Sequence, residues 1–204
     1  MLTHIDHSGK VSFMRVFLTV LILIFSLQSW TKADDIKEVM IEGISIGDSL
    51  LNRYTRDEIK IASKSTKNWF VNKKYTVSIF KKNLETYDKL HVTFLTDDKK
   101  YIVKAVSGLI DYTNNISECY EKSENIYSEI KATLTDLKDM GKYEYNHNDD
   151  PKSKIVDYAL LNDNDDEVYI GCYDYSESYG GADHLRVGVR LIEYAKFLLN
   201  DAYK

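Results

Sequence analysis

Val16 to Leu27 reads VFLTVLILIFSL, an apolar run interrupted at Thr19 and Ser26. Arg15 precedes it, and QSWTKA then leads into Asp34-Asp35. A positive start, a short apolar core and a small residue at the cut are the three parts of a secretory signal peptide. The run is shorter than the roughly 20 residues that a membrane-spanning helix needs. The expectation is a signal peptide over residues 1–33, cleaved after Ala33; a retained anchor is the alternative. Residues 1–13 (MLTHIDHSGKVSF) fit this layout poorly, so Met14 reads as the start and the residues before it as an over-extended frame. No function is assigned to His4 or His7. What folds is then 34–204, long enough for one domain with a core of its own.

Export sets the redox compartment. Both cysteines, Cys119 and Cys172, lie beyond the cut. Two cysteines in an exported domain most simply form one disulfide, and two buried thiols are the alternative. Such a bridge closes a long loop and stabilises by roughly 4 kcal/mol on the chain-entropy model. Without Lys10, Arg15, Lys32 and Asp6, the 27 basic and 32 acidic residues fall to 24 and 31, a net charge of −7. That balance speaks against nucleic acid and anionic membranes as partners. No membrane span remains after cleavage.

The rest of the chain reads as grouped strands and helices. Glu38–Ile46 is a short strand candidate broken by Gly43. Asp48–Ser63 is helical with a break near Tyr54, after which Thr55 and Glu58 spell a capping box. Trp69 and Phe70 read as anchors onto the core, and Tyr75–Phe80 as a weak strand. Leu90–Phe94 and Tyr101–Ala105 alternate as a hairpin ended by Ser107-Gly108. Ile116–Leu137 has apolar steps of three and four, with Ser117 as cap and Gly141 as stop. Ile155–Leu161 and Glu167–Tyr173 flank an Asn/Asp turn. Leu185, Val187 and Val189 alternate with Arg186, Gly188 and Arg190, a half-buried strand with a basic outer face. Leu191–Tyr203 closes as an amphipathic helix. Val168, Ile170 and Cys172 share a face, which turns Cys172 inward toward the helix carrying Cys119. Strands in groups favour a single α+β domain, an antiparallel sheet with helices packed on it.

Gly47-Asp48-Ser49-Leu50 resembles the first block of the GDSL esterases and lipases. That family presents a nucleophilic serine at a strand-to-helix turn and pairs it with an Asp-x-x-His element near the C-terminus. The resemblance implies Ser49 as nucleophile, His184 as base and Asp183 beside it. Here Asp183 and His184 are adjacent, without the two-residue spacer, and Asn162-Asp163 follows Leu160 where the family has glycine. A serine is inert without a base, and its oxyanion needs preorganised donors. The plainer reading is a helix start, with Gly47 in the turn and Asp48 or Ser49 as N-cap.

SWTKADD, EGISIGDSLL, YDKLHV, SGLIDY, ECY, GCYDYS and DHLRV together resemble a group of small exported proteins of AT-rich marine alphaproteobacteria of the Pelagibacter type. This resemblance implies a periplasmic or secreted location and supplies no mechanism.

Gly171–Arg186 (GCYDYSESYGGADHLR) is the loop with the most chemistry. Its candidate binding residues are Asp174, Tyr175, Tyr179, His184 and Arg186. Tyrosines stack on ligands, and the glycine pair lets the chain fold closely around one; a solvated loop is the alternative. Asp163–Glu167 lacks the glycine of a calcium loop, since Val168 takes the sixth place, and reads as a turn. No zinc spacing and no nucleotide glycine pattern occur, so no metal and no cofactor is expected. The leading reading is a non-enzymatic binding or envelope-interaction module, with an envelope or small-molecule partner. The alternative is a serine ester hydrolase using Ser49 and His184.

Overall fold

The computed structural model describes residues 36–113, 115–147 and 149–204. The signal-peptide reading lies outside them. Seven strands form one sheet: β1 Tyr75–Phe80, β2 Lys89–Leu95, β3 Ala105–Asp111, β4 Lys138–His147, β5 Asp150–Leu161, β6 Glu167–Asp174 and β7 His184–Arg190. Their order is β1-β2-β3-β7-β6-β5-β4, and every neighbouring pair is antiparallel. Two meanders, β1–β3 and β4–β7, are zipped together where β3 pairs with β7. Among the described residues, three α-helices complete an α+β fold: α1 Arg56–Ala62, α2 Ile116–Thr133 and α3 Ile192–Asn200. Among the described residues, no helix is long and apolar enough to cross a membrane.

Local signals explain most element ends. Thr55 and Glu58 form the capping box at the start of α1. Asn115, rather than Ser117, caps α2 through Glu118 N. The Asn/Asp turn after β5 has a further role. Asp166 is buried, and its Oδ1 accepts from Ile192 N at 2.9 Å, capping α3 from a distant segment.

Three expectations need correction. Glu38–Ile46 is not a strand: Ile41 and Ile44 pair across a tight turn in which Glu42 and Gly43 both have positive φ. The second hairpin strand starts four residues later, at Ala105, and runs through Ser107-Gly108 to Asp111. Residues 101–103 are drawn off to the 47–50 segment, with Ser49 bridged to Ile102 and Val103 N donating to Asp48 O. Gly108 stays in the strand because the Tyr87 ring lies on it, 2.3 Å from where a Cβ would stand. Finally, α2 stops at Thr133, and the mostly polar 138–147 stretch forms the edge strand β4.

The register fixes what each face of the sheet carries, because side chains alternate along a strand. On the first face, Val92, Val106, Val189, Val168 and Leu160 lie in one row across five strands. All five are buried. Cys172 belongs to this face and is bonded to Cys119 of α2, with both fully buried. Tyr127 of α2 stacks on Tyr158 at 4.6 Å, and Tyr54 on Phe80 at 3.9 Å. The second face carries His91, Ser107, Arg186, Arg190, Tyr169 and Tyr173. Helix α3 and Phe70 close its β1 side in a cluster of Phe70, Tyr75, Val77, Ala105, Tyr194 and Phe197.

Candidate functional site

Between α3 and the second face lies a cavity of about 70 Å³. That is room for about five water-sized groups. Thr93, Ser107, Tyr169 and Tyr173 contribute to its floor with Arg186 and Arg190; Trp69 and His91 flank it, and Tyr194 and Leu198 reach in from α3. Tyr194 and Leu198 are four apart on the helix, so both point the same way. The arginines expected on a basic outer face are therefore not in open solvent. They line a partly roofed cavity.

The two arginines differ. Arg190 Nε donates to Glu167 Oε2 at 2.6 Å, and its guanidinium sits over the Tyr169 ring at 4.8 Å. Arg186 lies between Leu109 of β3 and Gly171 of β6. Its guanidinium sits over the Tyr173 ring at 5.1 Å, and its Nε is buried without a hydrogen-bond partner. Among the described residues, no carboxylate forms an ion pair with it. An arginine keeps its charge in proteins. Its residual surface, intermediate in exposure, belongs to the cavity lining.

Glycines make room for this arrangement. Asp157 Oδ1 lies 1.8 Å from where a Cβ on Gly171 would stand, so only glycine lets the carboxylate cross that strand. Tyr145 donates its hydroxyl proton to Asp157 Oδ2, and Oδ1 is buried and unpartnered. Burial pushes the Asp157 carboxyl above its usual range, opposed by the Tyr145 hydrogen bond and the arginines.

Both histidines here are held neutral. Burial, then the Arg186 charge, depresses His91 to about 2. The same two causes depress His184 to about 4. His184 stacks nearly flat on Tyr173, with centroids 4.7 Å apart, and its Nδ1 is 2.9 Å from Ala182 O. With the proton on Nδ1 donated to that carbonyl, Nε2 is left as a buried acceptor without a partner.

Of the five candidate binding residues, the structure brings four into one neighbourhood. Tyr175 and Tyr179 stack at 4.9 Å, and Tyr175 lies 5.7 Å from the His184 ring. Tyr173 joins this group to Arg186. Asp174 points to the opposite face, where it accepts from the Tyr120 hydroxyl at 3.0 Å. Sequence reasoning missed Trp69, His91, Ser107, Tyr169 and Arg190. The usable signal was the alternation in β6 and β7: the strands that turn Cys172 and Val187 inward turn Tyr173 and Arg186 together onto the other side.

The hydrolase constellation does not assemble. Ser49 caps a short 3-10 turn, accepting from Leu51 N at 3.3 Å and donating to Lys100 O at 2.6 Å. It lies beside Ile102, before β3 begins, whereas His184 pairs with Asp111 at the far end of β3. Six strand steps separate those ends by about 20 Å. Asp183 accepts from Tyr175 N through Oδ1 and from Tyr112 N through its carbonyl, which ties down the loop. The letters GDSL are here a cap.

Compared with known protein families, curated proteins and solved structures, the chain matches none.

Proposed function

We propose that this chain is an exported, non-enzymatic binding module whose ligand is a small molecule held in the cavity between α3 and the second face. One observation carries this reading: a half-buried arginine, its Nε buried without a hydrogen-bond partner and no ion pair made to it among the described residues, lines a cavity whose other charged lining residue, Arg190, is paired with Glu167. A buried donor left without a partner costs about 1–3 kcal/mol, a cost that packing alone does not justify. A concave site with convergent polar groups among aromatic side chains is a usual form of small-molecule site, and the surface exposed in this cavity is mostly polar. The Cys119–Cys172 bridge supports an oxidising compartment, and the periplasm is the location proposed. The stacked pair Tyr175 and Tyr179 forms the rim in this reading, rather than a separate surface for an envelope protein.

Thermal unfolding against a panel of small acids, amides, sugars and amines tests it. At least one compound should raise the midpoint. Trp69→Ala, which removes one side of the cavity, should abolish that shift, and Tyr179→Ala at the rim should preserve most of it. A shift unaffected by Trp69→Ala would place the ligand elsewhere, and no shift with any compound would remove the reading.

A further inference from the structure

The geometry points to a small organic carboxylate as the ligand, with its carboxylate on the Arg186 guanidinium and its short apolar body between Trp69 and the α3 residues Tyr194 and Leu198. This deepens the binding-module reading and rests on it.

Charge bookkeeping inside the cavity leads there. Arg186 and Arg190 are its charged lining residues, and Arg190 is already matched by Glu167. Arg186 makes no ion pair among the described residues, Asp157 on the same face acting on it only from beyond ion-pair distance, and a monoanion supplies the missing contact. A guanidinium presents a planar fork of donors that a carboxylate meets with two parallel hydrogen bonds. A buried ion pair of this kind is favourable when the remaining lone pairs are also met. The Ser107 hydroxyl, also on the floor, offers a further donor.

Size and wall chemistry narrow the ligand further. Room for about five water-sized groups fits an acid of a few carbon atoms. Trp69, Tyr194 and Leu198 offer apolar surface to its tail. A phosphate would carry up to two charges and three acceptor oxygens into a site with a single unmatched cation. The bound acid would also satisfy the Arg186 Nε, which has no hydrogen-bond partner now.

Trp69 reports occupancy. The test is a fluorescence titration of the full chain with acetate, propionate, butyrate and lactate, with propionamide and inorganic phosphate alongside. The Trp69→Phe variant identifies the part of the signal that belongs to the cavity. The expected result is a saturable change with at least one acid, and at least tenfold weaker binding of propionamide and phosphate. Arg186→Gln should weaken the acid at least tenfold, and Arg186→Lys, which keeps the charge without the fork, should fall between them. Circular dichroism of both variants confirms that they fold. Equal affinity for propionate and propionamide, or an unchanged Arg186→Gln, would overturn the carboxylate assignment and leave a binding cavity. Saturation by phosphate but by no acid would do the same. Silence toward every compound would overturn the carboxylate assignment, and the wider thermal-unfolding panel then decides the binding-module reading.

Discussion

Arg186 and Val187 are neighbours in β7, yet they belong to regions built for different ends. Val187 is buried in a face of interlocking aliphatic side chains that also contains the fully buried Cys119–Cys172 bridge. Arg186 lines a cavity, with one donor nitrogen unsatisfied and no carboxylate paired to it. On the first face nearly every contact removes apolar surface from water. On the second, a cation, two neutral histidines and an unpartnered Asp157 oxygen remain inside the fold. The contrast teaches that the first face is given over to packing, while the second, beside its own aromatic cluster, keeps groups that a purely structural sheet would have lost.

The largest effect should come from the first face. Replacing both cysteines by alanine removes a cross-link spanning 53 residues. It should lower unfolding free energy by about 4 kcal/mol. Urea denaturation measures this, and acid binding by the fraction that stays folded should be little changed. A loss of affinity matching the loss of stability would show that the two faces are not separable.

Gly108→Ala comes next. The new methyl would meet the Tyr87 ring at 2.3–2.4 Å, and the ring has to move. Overpacking of this kind should cost roughly 1–3 kcal/mol. An unchanged urea midpoint would mean that Tyr87 does not pack tightly on this face.

A smaller, pH-dependent effect belongs to the second face. His184 titrates near 4 in the folded chain, below its ordinary 6.5, because it is buried and faces Arg186. The unfolded chain therefore takes up this proton first. The contribution is complete above about pH 6.5 and is lost as pH falls toward 4. His184→Gln should make the decline of stability over that window shallower by roughly 1 kcal/mol per pH unit. Parallel curves for the two proteins would mean that His184 is not held neutral by the fold.

Much of the first face was legible in the sequence. Alternation placed Val168, Ile170 and Cys172 together, and the compartment implied the bridge to Cys119. Grouped strands gave the α+β class. The second face was misread for a physical reason: alternation says which residues share a side, but not whether water or another element covers that side. Arg186 and Arg190 looked solvated because α3 and Trp69 return over them from distant parts of the chain. The start of β3 was displaced because residues 101–103 pair with the 47–50 segment, a contact no local pattern encodes. Strand β4 was missed because an edge strand with both sides largely exposed carries no apolar alternation. Tyr175, Tyr179, His184 and Arg186 cluster because the loop and β7 are continuous. Asp174 fell out because one residue along a strand is a change of face.

The most direct measurement compares Arg186→Met with Val187→Ala by equilibrium urea unfolding in the absence of ligand. Val187→Ala should lose about 2 kcal/mol, the cost of two buried methyl groups and the space they leave. Arg186→Met should be no less stable than the parent, because a half-buried charge with an unsatisfied buried donor gives way to an apolar side chain of similar length. A loss above about 2 kcal/mol in Arg186→Met, on the scale set by breaking a satisfied buried pair, would contradict the account. Arg186 would then be a structural residue, and the cavity around it no binding site.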